Sequence, residues 1–143
     1  MEGNARFGRI LRIRSMQHTA AQMKLAKSEE ALRDAEAITR QAQDRLEEVA
    51  DDASVKGDFS VEDLMESRAR VAWEARRLKE ASHSEVQASS RRNEHARASQ
   101  TMALKVRQAE SMNDAALIEW QAFESRLERI RTDELSSRRK KPA

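Results

Sequence analysis

The sequence predicts an all-α protein, a long antiparallel two-helix coiled-coil hairpin with an extended second helix. Three observations support this fold class. The 143 residues include only 3 Gly and 1 Pro, the composition favours Ala, Glu, Arg, Lys and Gln as in long helices, and Leu, Ile, Val and Met recur at helical spacing. Aromatic residues make up only 3%, which is too little for a broad globular core. Disorder of the whole chain is disfavoured, because the net charge is only +2 and the apolar residues are periodic.

The first helix is predicted over residues 6–52, because within that span only Gly8, close to the start, weakens a helix. Its apolar residues recur at steps of three and four, which places them on one narrow face. We assign this seam to Ile10, Ile13, Met16, Ala20, Met23, Leu32, Ala35, Ile38, Ala42, Leu46, Val49 and Ala53. The opening alternates Arg with apolar residues and could also mimic a targeting or membrane-surface helix. We prefer a helix start that packs on a partner.

A chain reversal is predicted over residues 53–60, where Gly57 interrupts the helical pattern. Ser60 follows as an N-cap, with Asp63 three residues later as in a capping box. Phe59 and Leu64 occupy the positions of a hydrophobic staple. These signals predict that the second helix begins at Val61.

The second helix is predicted over residues 61–137, followed by a basic tail at 138–143, and we treat 1–143 as a single hairpin domain. Its seam is interrupted by a polar stretch at 89–100, and the sequence leaves open whether that stretch is a hinge. We assign the seam to Leu64, Val71, Ala75, Leu78, Met102, Ala109, Met112, Ala116, Trp120, Phe123, Leu127 and Ile130. The absence of a repeat of 20 to 50 residues argues against a solenoid.

The second helix is predicted to extend beyond the first. A tight turn near Gly57 makes residues equidistant from it face each other, so the first helix ends opposite about residue 107. Residues 108–137 would then have no partner within the chain, although they carry a steady apolar stripe. Such a stripe is a candidate binding surface. The alternatives are a homodimer, or a fold-back of the N-terminal residues onto the stripe.

The residues that carry catalytic or metal chemistry do not form a recognisable site. The chain contains no Cys, its histidines (His18, His83 and His95) lack metal-ligand spacing, and no Gly-rich phosphate loop occurs. We therefore predict no enzyme activity, no cofactor and no metal. Nucleic-acid binding is also disfavoured, because 25 acidic residues are interspersed with 27 basic ones and no stacking platform is present. The absence of Cys leads us to expect a reducing cytoplasm, and the lack of a long apolar run leads us to expect a soluble protein.

Three segments of the chain carry a recognisable pattern. The opening from Phe7 to Arg14 reads Phe-Gly-Arg-Ile-Leu-Arg-Ile-Arg, and near the other end stand Glu124-Ser125-Arg126-Leu127-Glu128 and Asp133-Glu134-Leu135, followed by a basic end. These segments resemble the apolar and Arg-rich start and the C-terminal pattern of the FliJ family, the small coiled-coil proteins of the bacterial flagellar export apparatus. The resemblance spans nearly the whole chain. The related stalk proteins of virulence type III secretion look similar, and a self-assembling structural coiled coil is the further alternative.

The resemblance implies a stalk that inserts into a hexameric export ATPase, promotes its assembly and turnover, links it to the membrane export gate and handles substrate chaperones. It also implies a peripheral location at the inner membrane. We expect the ATPase-binding residues to be Met112, Ala116, Trp120, Phe123, Leu127 and Ile130. The family's gate-binding surface implies Val71, Ala75 and Leu78 here, with the neighbouring Trp73 as a further contact.

Overall fold

The computed structural model describes residues 2–54 and 60–140, with side chains at 5–53 and 60–139. Two long helices pack against each other, α1 at Glu2–Ser54 and α2 at Val61–Lys140. The described residues include no strand. The predicted all-α helical hairpin is therefore confirmed.

The helix bounds differ from the predicted ones only at the ends. α1 begins four residues earlier and ends two residues later than predicted, and α2 continues into the predicted basic tail as far as Lys140. The predicted reversal at Gly57 and the staple through Phe59 lie outside the described residues, as do residues 141–143.

The start of α2 is a capping box between Ser60 and Asp63. The backbone N–H of Asp63 donates to Ser60 Oγ at 3.1 Å, and the backbone N–H of Ser60 donates to Asp63 Oδ2 at 3.3 Å. The first backbone hydrogen bond of the helix runs from Leu64 N to Ser60 O. These bonds satisfy N–H groups that the first turn otherwise leaves without partners. The predicted cap is confirmed.

The structure divides into two compact units, each of which contains a part of both helices. The first unit is Ala21–Ala98. Its less exposed positions include a heptad series at steps of four and three on each helix, as expected for a coiled-coil seam. On α1 the series is Ala21, Leu25, Ser28, Leu32, Ala35, Thr39, Ala42, Leu46 and Val49, and on α2 it is Ser67, Val71, Glu74, Leu78, Ala81, Glu85, Ala88, Arg92 and His95.

The second unit comprises the described parts of residues 1–20 and 99–143. Its seam follows the same spacing. On α1 it contains Phe7, Leu11, Arg14 and His18, and on α2 it contains Ser99, Met102, Val106, Ala109, Asn113, Ala116 and Trp120. The seam mixes small, apolar and polar side chains, and among the described residues only Glu74, Ala81, Ser99 and Ala109 are buried.

The seam assigned to α1 from the sequence is wrong from Ile13 to Met23. Ile13, Met16 and Met23 are more than half exposed, whereas Leu11 and His18 are among the half-buried seam residues. The predicted series takes two consecutive steps of three, and each such step rotates the position by about 60° around the helix. The resulting drift carried the assignment onto the outer face.

The same error places Ile38 on the predicted seam. Ile38 is 57% exposed, and the half-buried seam position belongs to the next residue, Thr39. The Thr39 hydroxyl donates to the Ala35 carbonyl at 3.0 Å, so this polar side chain is satisfied locally without a partner on α2.

On α2, two of the predicted seam residues near the start are exposed. Leu64 is 47% exposed, and Ala75 is exposed beside the buried Glu74. The heptad spacing from Val71 to Leu78 requires a step of three first, which selects Glu74 over Ala75. Assigning the seam position to the apolar residue of the two, Ala75, is therefore wrong.

Candidate protein-binding surfaces

The last part of α2 presents an apolar stripe that α1 does not cover. Phe123, Leu127 and Ile130 are 47%, 38% and 55% exposed, and they continue the heptad spacing of Trp120, which is half-buried. We call these four residues the C-terminal stripe. Every described side chain from 121 to 139 is exposed. The seam of α2 thus extends past the point where α1 supplies contacts.

The uncovered part of α2 is shorter than the sequence predicted. The prediction left everything from residue 108 without a partner, but Ala109 is only 4% exposed, and Asn113 and Ala116 are half-buried. α1 begins at Glu2, several residues before the predicted start, which adds about one helical turn of cover. Burial ends near Trp120, so the longer α1 accounts for about one of the roughly three further turns that are covered.

The six predicted ATPase-binding residues fall into two environments. Ala116 and Trp120 are half-buried on the seam, whereas Phe123, Leu127 and Ile130 continue it in the open. Met112 lies beside the seam and is 52% exposed. The helix brings five of the six onto one face and leaves Met112 at its edge.

Two aromatic rings mark the start of the C-terminal stripe. The ring centroids of Trp120 and Phe123 are 5.7 Å apart, and the ring planes are inclined at 37°. This distance lies within the range in which aromatic pairs attract each other. The pair lies at the boundary between the covered and the uncovered part of α2.

Sequence reasoning missed further exposed apolar residues on this part of α2. Leu117, Ile118 and Leu135 are 39%, 66% and 61% exposed. They lie off the heptad seam, so a search for one stripe passes over them. Their hydrophobicity in a highly charged segment is the only signal that identifies them in the sequence.

The four predicted gate-binding residues do not form one exposed surface. Val71 and Leu78 are half-buried on the seam, whereas Ala75 and Trp73 are exposed. Trp73 lies two residues from Val71, which places it on the opposite side of α2. The Arg77 guanidinium carbon lies 4.9 Å from the centroid of the Trp73 ring, in a cation–π arrangement.

A second exposed apolar patch lies on the outer face of α1. Ile13 and Met16 are 54% and 67% exposed, and Ala20 is exposed on the same face. The erroneous seam assignment had placed these residues in the interior. In the structure they form a short exposed apolar stripe on α1, outside the seam between the two helices.

The histidines do not assemble into a metal site. His18 and His95 are half-buried on the seam, and His83 is exposed with its Nε2 3.3 Å from the Gln87 side-chain nitrogen. No group of three potential metal ligands occurs among the described residues. His95 instead lines a groove of about 310 Å³ together with Lys24, Lys27 and Arg91.

Comparison with known proteins gives no assignment. No family model, no curated protein and no solved structure matches this chain. Within the described residues, neither helix has a segment apolar enough over sufficient length to cross a membrane.

Proposed function

We propose that this protein is a stalk-like component of a flagellar type III export apparatus that binds the export ATPase and promotes its assembly and turnover. The observation that carries the proposal is the C-terminal stripe, an apolar coiled-coil seam that continues beyond its partner helix. A seam of this kind is suited to receive another helical surface. The resemblance of the first and last segments of the chain to the FliJ family supplies the identity of the partner.

The proposed ATPase seat is the surface formed by Met112, Ala116, Trp120, Phe123, Leu127 and Ile130. A few anchor residues provide most of the binding energy in a protein interface, and Trp is among the most frequent of them. The Trp120 and Phe123 pair is therefore the proposed anchor. The flanking charged residues of α2 would steer the approach and fix the register.

The proposed role also includes contacts with the export gate and with substrate chaperones, at the cytoplasmic side of the inner membrane. For the gate, the exposed Trp73 supports a contact better than Val71 and Leu78 do, because those two face α1. A gate-binding surface centred on Trp73 and Arg77 would lie at the side of α2, since Arg77 also lines a groove with Ala42 of α1.

The test measures ATP hydrolysis by a purified flagellar-type export ATPase from the same organism, with and without this protein. We expect faster hydrolysis together with a shift of the ATPase toward the hexamer. The Trp120→Ser, Phe123→Ser double variant should lose both effects while keeping its far-UV helicity. A Met65→Ser, Val86→Ser variant is the matched control, since it removes two exposed apolar side chains elsewhere on α2.

Two outcomes would redirect the proposal. If the protein has no effect on the flagellar-type ATPase but stimulates a virulence-type export ATPase, the protein is the equivalent stalk of that system. If the double variant stimulates as well as the unmodified protein, the C-terminal stripe is not the ATPase seat.

A further inference from the structure

The C-terminal stripe is flanked by four exposed charged residues that immediately precede or follow its apolar residues. On one side of the stripe lie Glu119 and then Arg126, and on the other side lie Glu124 and then Arg131. In a coiled coil these are the g and e positions, whose charges determine which helix can pair with the seam. We call these four residues the charged flank. It is acidic in its first half and basic in its second half.

Parallel pairing of the stripe with a second copy brings like charges together. In that arrangement a g residue faces the e residue five positions later in the other helix. Glu119 would face the second copy's Glu124, and Arg126 would face its Arg131. Like-charged pairs at such positions are destabilising.

Antiparallel pairing of two copies has three registers to consider, and each fails for a different reason. In the register that stacks all four stripe residues, Glu124 of one copy faces Glu124 of the other, and Arg126 faces Arg126. Both contacts join like charges. Sliding the two copies by one heptad toward the C-terminal end of α2 brings opposite charges together. It also packs Glu134 of one copy against Phe123 of the other, which leaves a carboxylate in an apolar contact. Sliding in the other direction requires Asn113 and Ala116, which are half-buried in the contact with α1.

We propose that the C-terminal stripe is built to pair with a helix of a different protein and to reject a second copy of its own chain. The partner helix carries basic residues opposite Glu119 and Glu124, and acidic residues opposite Arg126 and Arg131. The inference rests on the docking role proposed above. Its test uses no ATPase, so the two proposals can fail separately.

The first part of the test is self-association, measured by sedimentation equilibrium of the full chain. We expect a monomer at micromolar concentrations. The Glu124→Arg, Arg126→Glu double variant keeps the composition and net charge, but it converts every like-charged contact of the parallel arrangement into an opposite-charged one. Its dimer association constant should rise at least tenfold. A dimer of the unmodified protein that weakens on truncating Phe123 and Leu127 to Ala would overturn the proposal.

The second part uses two synthetic helical peptides with the same composition and the same Leu seam. In the block peptide, one g residue and the e residue five positions after it both carry Lys, and the next such pair of g and e residues carries Glu. In the mixed peptide, each heptad carries Lys at e and Glu at g. The block peptide can match the charged flank completely, whereas the mixed peptide can match only half of it in either orientation.

Titration calorimetry should show the block peptide binding to the unmodified protein at least tenfold more tightly than the mixed peptide. The Glu124→Arg, Arg126→Glu variant should reverse this preference, because its flank alternates from side to side as the mixed peptide does. Equal affinity for both peptides, or an unchanged preference in the variant, would show that the flank does not select the partner.

Discussion

Ser60 and Asp63 exchange two hydrogen bonds, from Asp63 N to Ser60 Oγ at 3.1 Å and from Ser60 N to Asp63 Oδ2 at 3.3 Å. The pair defines where α2 begins, because it satisfies backbone N–H groups that have no carbonyl partner within the helix. Both residues are exposed, so their contribution to stability comes from the cap and not from buried area.

Replacing the capping hydroxyl should therefore destabilise the hairpin. We expect Ser60→Ala to lower the free energy of unfolding by about 1 kcal/mol, measured by urea denaturation followed by far-UV circular dichroism. Ser84→Ala is the control, since Ser84 is exposed within α2 and Ala has the higher helix propensity. A loss as large at Ser84 as at Ser60 would contradict the capping role.

Leu11 and Ile13 distinguish the observed seam from the one assigned on the sequence. Leu11 is half-buried against α2, whereas Ile13 is 54% exposed. We expect Leu11→Ala to cost about 1–2 kcal/mol, less than a fully buried Leu because the cavity opens to solvent, and Ile13→Ala to cost less than about 0.5 kcal/mol. Thermal denaturation of the two variants side by side tests the assignment, and the reverse order of stability would refute it.

Glu74 is a buried seam residue whose carboxylate is not fully satisfied. It is only 7% exposed, and its Oε2 atom has no hydrogen-bond partner. Since an unsatisfied buried polar group costs about 1–3 kcal/mol, Glu74→Leu should stabilise the protein by about 1–2 kcal/mol. Urea denaturation measures the change. Glu80→Leu, at an exposed position of α2, controls for helix propensity and should have little effect.

Gly8 lies inside α1 and has room for a side chain. A Cβ atom at this position would meet no other atom within 4 Å, so nothing opposes substitution by Ala. We expect Gly8→Ala to raise the free energy of unfolding by about 0.5–1 kcal/mol, through the lower conformational entropy of the unfolded chain. Ala20→Gly, on the exposed face of α1, should give a change of opposite sign. If Gly8→Ala does not raise the free energy of unfolding, residue 8 is not part of the stable helix in solution.

Local signals in the sequence predicted the fold and the start of α2. The scarcity of Gly and Pro leaves long uninterrupted helices as the favoured structure, and the Ser60 and Asp63 pair acts over three residues, so it can be recognised without knowledge of the rest of the chain. For the same reason the apolar residues of the C-terminal stripe were identified, since Trp120, Phe123, Leu127 and Ile130 keep the heptad spacing by themselves.

The face of each helix that meets the other was harder to predict. In a chain rich in Ala and charged residues, two apolar stripes can run along one helix, as Leu11 and Ile13 illustrate, and the sequence does not rank them. The polar seam residues Arg14, His18 and Glu74 added to the error, because an apolar neighbour is the natural choice when one residue is considered at a time. The charged flank can be assigned only once the uncovered part of the seam is known, because the g and e positions are defined relative to that seam.

By itself the sequence determined that this protein is a pair of long helices, where the second begins, and that an apolar stripe lies near the C-terminus. These properties depend on residues within a few positions of one another, whose energies are local. The tertiary structure decided which stripe of α1 is buried, that burial of α2 ends near Trp120, and that Trp73 is exposed. These properties depend on the register between two helices, which is selected by the packing of the whole seam and by no single residue.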